Sequence, residues 1–93
     1  MANTKTPTSK QSVTPWGKAT VLEEVSVAQR AGDKRFASTV ELLAVAGGER
    51  LVRFSYSTNG ATRRGPVTLR ARDVERLREA LRRHPELSAA LKL

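Results

Sequence analysis

From Ala71 to His84 the apolar residues return at the period of a helix. Val74, Leu77 and Leu81 fall on one stripe with Ala80 beside them, while Arg72, Arg76, Arg78, Arg82 and Arg83 share the rest of the surface with Glu75 and Glu79. Upstream of this segment the chain is rich in valine and in alternating patterns. A lone amphipathic helix must bury its stripe against another layer, and the only layer on offer is a sheet. One sheet covered by one C-terminal helix places the chain in the α+β class.

The strands can be marked out in order. Lys18 to Arg30 carries Val21, Val25 and Val27 on one parity with Glu23, and Leu22, Glu24 and Ser26 on the other, which predicts a strand. In such a strand the adjacent Glu23 and Glu24 point to opposite faces and cannot act on one substrate together. Ala31 to Arg35 reads as a turn with basic residues at its exit. Phe36 to Ala46 is a second strand whose later half is apolar on both parities, as expected for a central strand. A helix over Thr39 to Ala46 is the alternative, and the Gly47-Gly48 turn favours a hairpin instead. Arg50 to Ser57 is a third strand, with Val52, Phe54 and Tyr56 on one face and Leu51, Arg53, Ser55 and Ser57 on the other. Parity does not decide whether Phe54 and Tyr56 lie in the core or on an open face. If Arg53 faces out, Phe54 faces the core, because a buried unpaired arginine is costly. A polar loop through Asn59-Gly60 leads to Arg63, Arg64, Gly65 and Pro66, and Val67 to Leu69 is predicted as a short fourth strand. Proline after His84 should end the helix, and Pro85 to Leu93 can form one more short helix with Leu87 and Leu91 on a shared face.

The other end of the chain is different. Residues 1–15 hold mostly Thr, Ser, Asn, Gln and Pro with Lys5 and Lys10, and are expected to form a disordered basic tail. Residues 16–93 then make one small domain. Trp16, the only tryptophan, marks the seam; it is expected to pin the tail to the core edge or, alternatively, to stack on a base.

Several function classes are disfavoured by composition. There are no cysteines and one histidine, His84, so no disulfide, thiolate metal site or histidine-based triad is expected, and no cofactor is implied. No nucleophile–base pair or phosphate-cradling glycine motif is present, so no catalytic residue is assigned and an enzyme is not expected. No apolar run is long enough to span a membrane, and a cytoplasmic protein, nucleoid-associated if bacterial, is the default expectation. The net charge is +8, from 17 Lys and Arg against 9 Asp and Glu. Such a field attracts polyanions, nucleic acid above all.

The order of parts, several strands followed by Arg64-Gly65-Pro66-Val67-Thr68-Leu69 and a helix bearing Val74, Leu77 and Leu81, resembles the positive cofactor four family of transcriptional coactivators, and most of all its compact bacterial relatives that bind single-stranded DNA. Val21 to Val25 and Leu51 to Ser57 add to the likeness, which runs from about Lys18 to the C-terminus. The resemblance implies a four-stranded curved antiparallel sheet followed by the helix, in a homodimer whose helices meet across the two-fold axis. Val74, Leu77, Leu81, Leu87 and Leu91 are the expected interface residues. It also implies sequence-tolerant binding of single-stranded DNA, or RNA, by an accessory factor of the transcription, replication or repair machinery. Lys34, Arg35, Arg53, Arg63 and Arg64 are the expected phosphate contacts, with Gly65 beside them, and Phe36, Tyr56 and Trp16 are the stacking candidates. The chain departs from the family pattern at Arg64, where lysine is usual, and at Arg70, where a capping serine or asparagine is usual. The rival readings are a small dimeric protein-interaction module with incidental charge, and duplex binding by the basic helix. The second is disfavoured because Glu75 and Glu79 interrupt the arginines.

Overall fold

The computed structural model describes residues 10–63 and 65–93. Five antiparallel strands follow one another as a meander, β1 (Gln11–Thr14), β2 (Gly17–Ala31), β3 (Lys34–Val45), β4 (Arg50–Thr58) and β5 (Ala61–Arg63), and two helices close the chain, α1 (Ala71–Leu81) and α2 (Pro85–Leu91). The α+β class is as expected, and the three long strands match their predicted positions. The strand count differs. Gln11 to Thr14 pairs with Thr20 to Gly17, so the predicted tail is corrected at its end; residues 1–9 lie outside the described residues. Val67 to Leu69 forms no strand, and the short β5 precedes it. Both additions are polar or very short. They are held by backbone pairing, which leaves little hydrophobic pattern to read.

A bulge governs how the long strands distribute their side chains. Val21 pairs with Leu43, but Glu23 pairs with Leu42, so Leu22 is the extra residue. An extra residue exchanges the faces of everything after it. Ala19 and Val21 therefore join Leu43, Val45 and Leu51 on one face, while Val25 and Val27 join Val40 and Leu42 on the other. Leu42 and Leu43, adjacent in sequence and each 1 % exposed, fill two different cores.

The helices cover the face bearing Val25, Val27, Val40 and Leu42, and pack mainly on β2 and β3. Leu77, Leu81 and Leu87 are buried there, with Leu22, Val52, Leu69, Ala80 and Leu91 around them. Glu23 shows how the bulge serves this packing: its carboxylate accepts the backbone N–H of Leu87 at 2.7 Å, satisfying one of the free amides in the first turn of α2. Glu24 points away and pairs with Lys10 at 2.8 Å. This hydrogen bond is the main cause that raises the Lys10 amine above its ordinary range. Arg76 donates to the carbonyl of Ala28 at 2.8 Å and Arg70 to that of Arg30 at 2.7 Å, so α1 covers the edge of β2 beyond the end of β1. Pro85 occupies the first turn of α2, as expected. No helix among the described residues is long and apolar enough to cross a membrane.

The sheet is curled. Arg53 of β4 reaches Ser12 and the carbonyl of Val13 on β1, although β2 and β3 separate those strands in the sheet.

Candidate functional site

Beyond the helices, the sheet face they cover stays open. On this face β3 carries Phe36 and Ser38, β4 carries Tyr56 and Thr58 directly opposite them, and Arg63 of β5 stands opposite Tyr56. Lys34 borders them at the start of β3, and Pro66 and Thr68 of the segment leading to α1 form the remaining wall of a groove of about 510 Å³. Phe36 and Tyr56 are half-buried, while Lys34 and Arg63 are exposed. Arg63 donates to the hydroxyl of Thr58 at 3.1 Å. Neither Lys34 nor Arg63 meets a carboxylate among the described residues.

Gly65 stands against this groove. Its φ of +143° is one that side chains rarely adopt, and a methyl group there would lie 3.8 Å from the Tyr56 ring. The glycine thus lets the chain turn beside the aromatic ring.

Behind the groove runs a buried polar network. Ser38 donates to the side-chain carbonyl of Gln29. The Gln29 amide donates to the backbone carbonyl of Thr68 at 3.1 Å and to the Asp73 carboxylate at 3.2 Å. Asp73, 2 % exposed in the first turn of α1, also receives Arg76 at 3.2 Å and Arg70 at 3.5 Å. Burial pushes its carboxyl upward, but the hydrogen bonds from Gln29 and Arg76 and the backbone and charge of Arg70 outweigh it, so the net shift is downward. The network ties the sheet, the groove wall and α1 together. Arg70, at the N-cap, makes no cap hydrogen bond through its side chain and joins this network through Asp73 instead. Gln29, Ser38 and Asp73 are not among the expected site residues. The signal was present for the first two, which continue the parity of Val25 and Val27 and of Val40 and Leu42 into the interior as polar residues.

The expected site residues therefore divide. Lys34, Phe36, Tyr56, Arg63 and Gly65 come together. Arg64 lies outside the described residues. Arg35 leaves β3 on the side opposite to Lys34 and borders a second cavity near the start of α1. Arg53 is elsewhere: its Nε donates to Glu41 at 3.0 Å, and its other nitrogens hold Ser12 and the Val13 carbonyl. The structure gives Arg53 the task of fastening β1 across the curl. Phe54 and Arg53 do take opposite faces, but Phe54 does not enter the core. It is 47 % exposed, because the helices cover β2 and β3 and leave β4 largely open. Trp16 sits in the turn between β1 and β2, 67 % exposed, and does not pin the chain to the core edge.

Four of the five expected interface residues pack on the sheet of their own chain. Leu77, Leu81 and Leu87 are 4 % exposed or less within the single chain, and Leu91 packs beside them. Val74 alone of the five remains exposed. No protein-family model matches the chain, and no curated protein or solved structure is significantly similar to it.

Proposed function

We propose that the groove between β3, β4 and β5 binds single-stranded nucleic acid with little sequence preference. The observation that carries this reading is the meeting of two aromatic rings, Phe36 and Tyr56, with two cations that have no carboxylate partner among the described residues, Lys34 and Arg63, on one open sheet face. Unpaired bases stack on aromatic rings whatever their identity, and the cations take the phosphates between them. The net charge of +8 supplies long-range attraction. In this reading the protein is a non-enzymatic accessory factor of transcription, replication or repair, working inside the cell as a homodimer. Val74 and Phe54 are the exposed apolar residues through which a second copy would be met.

The reading is tested by anisotropy titration of a labelled oligothymidine and of a duplex of equal length over a series of salt concentrations. Single strands bind more tightly, and log K falls with log salt with a slope of at least about −1.4 for Lys34 and Arg63 together, at about −0.7 per phosphate. Tyr56→Ala weakens binding by about 1–3 kcal/mol, the value of one stacked base. Tighter duplex binding, or affinity indifferent to salt, overturns it.

One observation favours a second reading, a protein-interaction module. Val13 and Trp16, 75 % and 67 % exposed, put two large apolar side chains at the tip of the β1–β2 hairpin. A protein partner retained after nuclease treatment and lost in Trp16→Ser, with no oligonucleotide shift, would select this reading instead.

A further inference from the structure

Five arginines gather where α1 begins beside the outer edge of β2. Arg30, Arg35, Arg70, Arg72 and Arg76 line an open cavity of about 440 Å³, and the one carboxylate in its wall is Asp73. Two of the five are already held in place. Arg70 is bound to the Arg30 carbonyl and to Asp73, and Arg76 to the Ala28 carbonyl and to Asp73. Asp73 is 2 % exposed and lies behind them, so it fixes their guanidinium groups without closing the cavity. The other three, Arg30, Arg35 and Arg72, meet no carboxylate among the described residues.

The placement of two of these arginines is unfavourable for folding alone. Arg30 and Arg35 are direct partners in the β2–β3 ladder and project from the same face. Like charges directly opposite each other destabilise a pair of strands. A local conflict of this kind, with no compensating contact among the described residues, marks a place where an outside group is expected. That group must be anionic, and it must accept several fork-shaped donors at once, as a phosphate does.

We infer that this cavity is a second, phosphate-binding site, distinct from the groove, formed by Arg30, Arg35 and Arg72 around the fixed guanidinium groups of Arg70 and Arg76. Its occupant is the phosphodiester backbone of a nucleic-acid strand. Lys34 and Arg35, neighbours at the start of β3, border the groove and the cavity respectively, so a strand leaving the groove past the β2–β3 turn meets these arginines next. This assignment of the occupant rests on the reading of the groove. The phosphate site itself does not.

The test uses the full chain, the double variant Arg30→Gln/Arg35→Gln and the groove variant Lys34→Gln/Arg63→Gln. The side chains of Arg30 and Arg35 make no hydrogen bond or ion pair among the described residues, so the first variant folds with unchanged or raised thermal stability. Inorganic pyrophosphate, against chloride matched in ionic strength, raises the melting temperature of the wild type and shifts the arginine Nε–H resonances. The groove variant keeps this response, and Arg30→Gln/Arg35→Gln loses it. With oligothymidines, the Arg30→Gln/Arg35→Gln protein binds short strands like the wild type. It loses about tenfold with long ones, and its salt slope is smaller by about 1.4. Comparing 5′-phosphorylated with 5′-hydroxyl strands separates a backbone phosphate from a terminal one: equal losses identify the backbone, and a loss confined to the phosphorylated strand overturns that choice of occupant. A wild type that does not respond to pyrophosphate overturns the site, even if the groove binds DNA. A pyrophosphate response with no oligonucleotide binding upholds the site and overturns the reading of the groove.

Discussion

The two halves of β3 differ more than any other two adjacent regions of the molecule. From Val40 to Val45 the strand is buried on both faces except at the half-buried Ala44, with Val40 and Leu42 under the helices and Leu43 and Val45 in the opposite core. From Lys34 to Ala37 no residue is buried, and the side chains are basic, aromatic or small. The difference follows from how far two short helices reach. α1 and α2 contribute three buried leucines, enough to cover the centre of the sheet and no more. Where cover stops, an apolar strand has no reason to continue, and the same sheet face becomes a groove of rings and cations. Fold and candidate site are thus two ends of the same strands.

Substitutions at the two ends give the sharpest test of this division. Leu42→Ala, at a side chain 1 % exposed, lowers stability by about 2–5 kcal/mol in urea denaturation, the range for a buried leucine that leaves a cavity. Phe36→Ala removes a larger side chain, yet it should cost less than half as much, because Phe36 is only half-buried at the edge of the groove. Equal losses would show that the open end is part of the core and would break the comparison.

The arginines sharpen the contrast at a smaller scale. Arg53→Met leaves the buried Glu41 carboxylate, 7 % exposed, without its partner and frees β1, at a cost of about 1–3 kcal/mol. Arg63→Met, at an exposed residue bonded only to Thr58 among the described residues, changes stability by less than about 0.5 kcal/mol and weakens oligonucleotide binding instead. Melting curves and titrations on both variants decide the matter. An Arg53→Met protein of full stability that binds poorly would return Arg53 to the ligand contacts.

How much of this could be read from the residues depends on whether the cause is local. The covering helix was legible because Val74, Leu77 and Leu81 repeat on one stripe, and the three long strands because their apolar residues alternate or run together. The groove was legible in part, since Phe36, Tyr56 and Arg63 are rings and cations in strands. What was not legible depends on the pairing partner. Leu22 is a bulge only in the register that sets Val21 against Leu43 and Glu23 against Leu42. Arg53 is fastened to β1 only because the sheet curls far enough to bring Ser12 to it. Phe54 stays exposed because of where helices far along the chain come to lie. The weak cap at Arg70 was visible, but the network that holds α1 through Gln29 and Asp73 joins residues 44 positions apart.

That network leads to the smallest and most specific effect, one that concerns the boundary between the two halves. Asp73 holds α1 to the sheet next to Ser38, where the covered face gives way to the groove. Its carboxyl is held below the ordinary range in the folded chain, against the opposing push of burial, by Gln29, Arg76 and Arg70. As pH falls, the unfolded chain takes up this proton first, near the ordinary aspartate value of about 3.9, and the folded chain only at lower pH. The stability gained from Asp73 is therefore complete above that value, and it is lost as pH falls through the lower folded one. Asp73→Asn removes the charge at every pH, so the gap in melting temperature between wild type and variant should be widest at pH 6 and should narrow below about pH 4. In the same acid range the wild type should lose the groove wall before its core: resonances of Thr68 and Ser38 should shift while those of Leu42 and Leu43 hold. A gap that stays constant down to acid unfolding would mean that Asp73 holds the boundary by its shape and hydrogen bonds alone, and that its charge does not help join the two halves.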